Sequence, residues 1–371
     1  MGLMPIKWIL VAAMILGIYA SQMSAATPPA PLTFKRLLMT GDSTMWGYGS
    51  NGSARVNSRV NSMPQRLAAW MNANGVPTSA NSTFGKGGNT VAEFLSSDPR
   101  WVGIGRFNVH PSAVMLGGQS FLGSAPLGDR TDINVGEFDT LAITAFQYPG
   151  SGSLVNVKVD VGGVTTTIGN FNGDNPTFAL KRTVFTAPSI ENYQLQLDLA
   201  GDFYLIGFEA WRSTDALSIM QAGWNGQYSS DYATGTADVY SPKNSAAFMM
   251  ADALIVNQGI NDVAASVSQA TFEANYKAYI DTVLAAKPDT ILFFVIPNDL
   301  SIGLGYLPSA ITSLAAFYGA TVLDTRLAPD MATYLSAAAA GKMFDGLHPS
   351  GSGYLAIANY FGPIIKSVLY P

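Results

Sequence analysis

Near the C-terminus, Asp345-Gly346-Leu347-His348 sets a carboxylate and an imidazole three residues apart. At that spacing the acid can orient the ring and stabilise its protonated form, while the other ring nitrogen takes a proton from a serine hydroxyl. A candidate hydroxyl lies at the opposite end of the chain, in Gly41-Asp42-Ser43, directly after the apolar run Leu37-Leu38-Met39. If that run is a parallel strand, Ser43 stands at its carboxyl end, where ligands and catalytic groups gather in open parallel sheets. Taken alone, Gly-Asp-Ser also reads as an ordinary turn, with Asp bonding nearby backbone and Gly relieving strain. The chain has two histidines and no cysteine. A Cys/His metal site is therefore excluded, and no cofactor is expected. His110, ahead of Pro111, has no acid close by in sequence and reads as structural.

A serine nucleophile needs hydrogen-bond donors for the oxyanion it creates. Two segments offer them. In Gly85-Lys86-Gly87-Gly88-Asn89-Thr90, the Thr90/Glu93 pair spells a capping box, so the Gly88 amide precedes a helix start with its unpaired N–H groups. Gly87 is adjacent, and the spacing permits either glycine. A phosphate cradle does not fit, because Lys86 is followed by Gly87 rather than Ser or Thr. In Gly259-Ile260-Asn261-Asp262, the Asn261 carboxamide can donate without a change of charge, and Asp262 is placed to brace the loop.

The elements that must position these groups come in two textures. From Phe34 to about Pro99, and again from about Asp215 to the end, apolar runs alternate with helical patterns, which predicts parallel strands covered by helices on both faces. Ala253 to Val256 and Ile291 to Ile296 read as buried strands. Between them Phe272, Tyr276, Tyr279, Ile280, Val283 and Leu284 recur at helical spacing, up to Lys287-Pro288. Further helices are expected at Ser309 to Tyr318 and Ser352 to Val368, flanking a short strand at Val322-Leu323. The middle differs. Val155, Val157, Val159 and Val161 alternate with polar residues, Gly162-Gly163 supplies a hairpin turn, and Leu195, Leu197 and Leu199 repeat the alternation, with Leu141-Ala142-Ile143 a weaker neighbour. This predicts an antiparallel β-sandwich or jelly roll inserted into the α/β domain.

Residues 1–26 carry one lysine, Lys7, an apolar run from Trp8 to Ala20, and the small residues Ser24, Ala25 and Ala26. That is the pattern of a secretory signal peptide, shorter than the roughly 20 residues of a membrane span. The expected organisation is a signal over 1–26, a Pro-rich linker over 27–33, an α/β domain in two parts over 34–100 and 215–371, and the β insert over 101–214. No later run is long enough to span a membrane. The composition is globular, with 48% hydrophobic and 12% charged residues. A net charge of -5 without clustered Lys or Arg argues against nucleic acid as a partner.

Gly41-Asp42-Ser43, a glycine in Gly87-Gly88-Asn89-Thr90, Gly259-Ile260-Asn261-Asp262 and Asp345-Gly346-Leu347-His348 occur in the order of the four conserved blocks of the SGNH hydrolases, the GDSL-type esterases, which the chain therefore resembles. The resemblance implies a flavodoxin-like three-layer α/β domain with Ser43 as nucleophile, His348 as general base and Asp345 as its orienting acid. It implies an oxyanion hole made of the Ser43 amide, the Gly88 amide and the Asn261 side chain. It covers the two α/β segments; some polysaccharide and peptidoglycan O-acetylesterases of the superfamily carry a carbohydrate-binding-like β domain at the position of the insert. The Gly-x-Ser-x-Gly elbow of other esterases is not matched, since Met45 takes the final glycine's place. The expected activity is ester hydrolysis through an acyl-serine, outside the cytoplasm. Export, acidity and an insert with Trp211 near its end and Trp224 just beyond favour O-acetyl groups on a polysaccharide or glycan. A lipase or long-chain esterase and an exported O-acetyltransferase would use the same residues. A non-catalytic carbohydrate-binding protein would not need the complete Ser43, Asp345 and His348 set.

Overall fold

The structure, a computed structural model, describes residues 32–371 apart from 86–89, 104–106, 110–115, 117–120 and 235–240. The signal segment, Gly88 and His110 lie outside the described residues. Strand β1 (Lys35–Gly41) runs through the middle of a six-stranded parallel sheet. Its Leu37, Leu38 and Met39 are buried on both faces, as a central strand covered on each side requires. It pairs with β9 (Leu217–Gly223) on one side and β10 (Ala253–Asn257) on the other; β2 (Thr78–Ser79), β11 (Ile291–Ile296) and β12 (Thr321–Asp324) complete the order β12-β11-β10-β1-β9-β2. The chain leaves β1 toward the β9 side and returns on the other side at β10. The two directions part at the carboxyl end of β1, where Gly41 pairs with Gly223 on one flank and Asn257 on the other.

Helices cover both faces. These are α1 (Ser43–Trp46), α2 (Met63–Ala73), α3 (Val91–Ser97), α4 (Ser229–Ala233), α5 (Pro242–Phe248), α6 (Ile260–Ala264), α7 (Gln269–Ala286), α8 (Leu307–Tyr318), α9 (Tyr334–Ala339) and α10 (Gly351–Leu369). Helix α7 buries Phe272, Tyr276, Tyr279, Ile280 and Val283, starts on a Ser268 cap that accepts from the Thr271 amide, and ends before Pro288. Helices α8 and α10 and strand β12 lie where the sequence pattern places them. Among the described residues no helix is long and apolar enough to cross a membrane.

The segment between the two α/β halves is an antiparallel sheet of β3 (Trp101–Gly103), β4 (Phe107–Val109), β5 (Phe121–Gln147), β6 (Ser153–Val161), β7 (Val164–Phe171) and β8 (Ala179–Trp211). Its two long strands build both layers. Residues 121–138 of β5 pair with 191–205 of β8, whereas 140–147 lie between 179–186 and 204–211. The inward alternates of both layers, among them Ile133, Leu141, Ile143, Val157, Leu195 and Leu197, share one hydrophobic cluster. The β6–β7 hairpin turns on Gly162 and Gly163, whose φ of 61° and 86° are the left-handed values that a two-residue turn between right-twisted strands demands.

Strand β9 was not legible from periodicity. All seven of its residues are buried, but Ser218 and Gln221 interrupt the apolar run. Gln221 is tolerated because its side chain is hydrogen-bonded at both ends, to the Arg59 guanidinium and the Trp46 carbonyl, while its amide donates to Ser82 Oγ at 2.8 Å. A polar seam joins β1 to the insert. The fully buried Glu209 carboxylate of β8 receives Arg36 of β1 at 2.6 Å and Arg182 at 2.5 Å. Removing the shared partner leaves two largely buried guanidinium groups without their carboxylate. Glu209→Ala is therefore expected to cost about 3 kcal/mol of unfolding free energy, read as a lower urea midpoint at unchanged m-value.

Candidate active site

The carboxyl end of β1 admits no side chain at its last position. A Cβ on Gly41 would stand 2.3 Å from the Asn257 carbonyl oxygen, the atom to which the next amide, Asp42 N–H, donates at 3.2 Å. Asp42 then caps α1: its Oδ1 accepts from the Thr44 amide at 2.9 Å and the Thr44 hydroxyl at 2.7 Å. Its Oδ2 is buried without a partner. Burial pushes the Asp42 carboxyl up to about 6, against the pull of both Thr44 hydrogen bonds and of His348. Ser43 is the first residue of α1, so its amide belongs to the first-turn N–H groups that have no intrahelical acceptor.

The second part of the site is a tight loop ahead of α10. Asp345 Oδ1 accepts from the backbone amides of Leu347 and His348, each at 2.8 Å. The loop thus wraps around the carboxylate, which faces His348 Nδ1 with Oδ1 at 3.0 Å and Oδ2 at 2.9 Å. His348 Nε2 lies 2.8 Å from Ser43 Oγ. With Nδ1–H directed at the carboxylate, Nε2 is left as an acceptor for the serine proton. Burial alone would raise the Asp345 carboxyl. The hydrogen bonds from the imidazole and the two amides outweigh it and hold the group down to about 2.

The sequence reading did not single out Tyr48. Its ring packs on the His348 imidazole, with centroids 4.2 Å apart and planes tilted by 33°, and Phe344 meets its other side edge-on at 6.3 Å. Tyr48 reaches this place because α1 ends at once: Gly47 adopts φ 100°, and the Gly47 and Tyr48 amides both donate to the Ser43 carbonyl. The Tyr354 hydroxyl fixes the Tyr48 carbonyl at 3.1 Å. The signal in the sequence was the Trp46-Gly47-Tyr48 step directly after the serine helix.

The expected oxyanion donors are placed unequally. Gly88 is outside the described residues, although the Thr90/Glu93 capping box that follows it is formed. Asn261 is the second residue of α6, after the Gly259 cap, and one N–H of its carboxamide donates to the Gln227 carbonyl at 2.8 Å, leaving a second. Asp262 is committed to the Ser229 amide and hydroxyl at 2.9 and 2.6 Å. The two tryptophans offered as sugar platforms are engaged in packing. Trp224 is buried at the end of β9, and Trp211 stacks on Phe34 at 5.7 Å with the Arg182 guanidinium over its ring. Among the described residues no group of three or more His, Asp or Glu side chains is placed to hold a metal ion.

Residues 183–356 match the model of the GDSL-like lipase/acylhydrolase family. The match includes Asn261, Asp345 and His348 and begins after Ser43. A search of curated proteins returns no match. Among solved structures the chain is similar to a peptidoglycan O-acetylesterase, with a TM-score of 0.63 and 15% identity over 91% of this chain and 92% of that one. It is also similar to a family two carbohydrate esterase from Clostridium thermocellum in complex with cellohexaose, at a TM-score of 0.35 and 14% identity over 71% of this chain and 98% of that one. A family 3 carbohydrate esterase from Talaromyces cellulolyticus follows at 0.32 and 17%, over 42% and 72%.

The lowered Asp345 carboxyl has a consequence for stability. A carboxyl held below its ordinary 3.8 stabilises the folded state fully above that value and loses the contribution as pH falls toward about 2. The stability gap between the parent and Asp345→Asn, measured by urea unfolding, is expected to be complete at pH 6 and to close between about pH 4 and pH 2. A gap independent of pH would assign it to something other than the carboxylate charge.

Proposed function

Because residues 183–356 match the GDSL-like lipase/acylhydrolase family, we propose that the chain is a GDSL-type, ester-hydrolysing SGNH enzyme with Ser43 as its nucleophile, His348 as its general base and Asp345 as the acid that orients the base, acting on O-acetyl esters of a polysaccharide or glycan. The observation that carries the chemistry is the continuous hydrogen-bonded line from Ser43 Oγ through the imidazole to the Asp345 carboxylate. Ser43 Oγ attacks the acetyl carbonyl carbon while Nε2 takes its proton. The oxyanion collapses, the sugar alkoxide leaves with the proton from Nε2, and an acetyl-serine remains. Water then attacks that ester, giving its proton to Nε2, and the second collapse returns the proton to Ser43 and releases acetate. Asp345 stays ionised throughout, steadying the imidazolium of each transition state. The oxyanion is met by the Ser43 amide, the remaining Asn261 N–H and the Gly88 amide.

The glycan assignment is supported by the shared fold, which extends over 91% of this chain in the comparison with a peptidoglycan O-acetylesterase. The leader pattern of residues 1–26 supports a place of action outside the cytoplasm.

Acetate release from a panel of O-acetylated glycans, peptidoglycan among them, tests this reading. Ser43→Ala should reduce release to background, and unchanged release would overturn the site. Asn261→Ala should lower kcat on the order of 100-fold, with KM little changed. On p-nitrophenyl esters, a rate that rises from acetate to longer acyl chains would overturn the acetyl specificity.

A further inference from the structure

Helix α1 ends four residues after it begins, and the carbonyls of its last turn need partners from outside. Gln221 of β9 supplies one. Its Nε2 donates to the Trp46 carbonyl at 3.0 Å and reaches the Met45 carbonyl at 3.5 Å, and the residue is 1% exposed. The orientation of this amide is settled by Arg59, whose Nη1 donates to Gln221 Oε1 at 2.5 Å. A guanidinium can only donate, so the carboxamide oxygen must face it and the NH2 must face α1. Arg59 is itself 3% exposed. Its Nη2 donates to the carbonyls of Ala80 and Ser82 at 2.7 and 2.6 Å, and its Nε lies 3.4 Å from Asp98 Oδ2. Asp98, fully buried, is shared with Arg100 at 2.7 Å. Those two residues lead straight into β3, the first strand of the insert. The same helix is anchored apolarly in two directions. Met45 joins the core beneath the parallel sheet, and Trp46 lies in the hydrophobic core of the insert with Phe94, Trp101 and Phe208.

We propose that Gln221, oriented by Arg59, is a positioning residue that holds α1 so that Ser43 Oγ meets His348 Nε2, and that through Asp98 and Trp46 the β insert is part of the apparatus that aims the nucleophile. The proposal rests on the reading of Ser43 as nucleophile. No proton moves through Gln221; its contribution is geometric, and a displacement of about 1 Å at a reacting atom costs on the order of 100-fold in rate.

The experiment uses the full chain with Gln221→Met, which keeps the volume and loses both polar ends, and Gln221→Glu, which keeps an acceptor for Arg59 but turns a carboxylate oxygen, in place of the donor, on the carbonyls of α1. Each variant is compared with the parent by thermal unfolding, by kcat and KM on p-nitrophenyl acetate normalised to titrated sites, and by the second-order rate of fluorophosphonate labelling, with the labelled serine located by mass spectrometry. Expected for both variants are a 10- to 100-fold fall in kcat per titrated site, an equal fall in labelling rate, and KM within about twofold of the parent. Gln221→Glu should also unfold closer to the parent temperature than Gln221→Met does, because the buried guanidinium keeps an acceptor. A folded Gln221→Glu protein with parental kcat and labelling rate would overturn the inference, as would a loss confined to the number of titratable sites. A label on a serine other than Ser43 would instead overturn the assignment of the nucleophile, so the two failures are told apart.

Discussion

A four-residue helix does not hold itself. Fixing its first turn costs more conformational freedom than its few internal hydrogen bonds return, so its direction is decided by what surrounds it. Everything at the candidate site depends on that direction, because Ser43 opens α1 and Tyr48 follows directly from its end. The surroundings act at each end separately. Asp42 caps the start, Gly41 lets strand β10 close in and Gly223 lets the backbone of α1 itself approach β9, neither with a side chain between, and Met45 and Trp46 point into two different hydrophobic cores. Ser43 stands where the α/β sheet and the antiparallel insert meet, and the helix it opens is packed against both.

Charge is scarce in this chain, and much of what there is lies in seams. Glu209 between Arg36 and Arg182, and Asp98 between Arg59 and Arg100, join the insert to the parallel sheet through buried ion groups. Such groups add little net stability over apolar packing, but they penalise any arrangement that leaves one of them unpaired. Burial and the neighbouring Arg100 pull Arg59 down to about 9 even with Asp98 beside it. Asp345 is the opposite case. It is partly exposed, yet two amides and an imidazole surround its oxygens, so it stays ionised. Asp42, sealed beneath the same serine with one oxygen unpartnered, is pushed the other way. The two carboxyls nearest the site differ in the number of donors they face, and only the well-supplied one touches the imidazole.

Much of this was written in local pattern. The buried runs 37–39, 253–256 and 291–296, the helical spacing through Phe272 to Val283, and the alternation of Val155 to Val161 with its Gly-Gly turn each depend on the residues of one segment, and each appears as its element. Strand β9 escaped because its Gln221 looks wrong for a buried strand until Ser82 and Arg59 are brought beside it. Tyr48 and the Gln221–Arg59 pair escaped for the same reason, since no periodicity reports a contact across more than 150 positions.

The sequence by itself determined which chemistry is available: one serine after a strand, an acid and an imidazole three residues apart, and no thiol. These follow from residue type and short spacing, which chain connectivity preserves. Only the tertiary structure decided that Ser43 and His348, 305 positions apart, come within 2.8 Å. It also decided that the insert's core and its root grip the helix that Ser43 opens, because distance between remote residues is set by how the layers pack, and packing is a property of the whole folded chain.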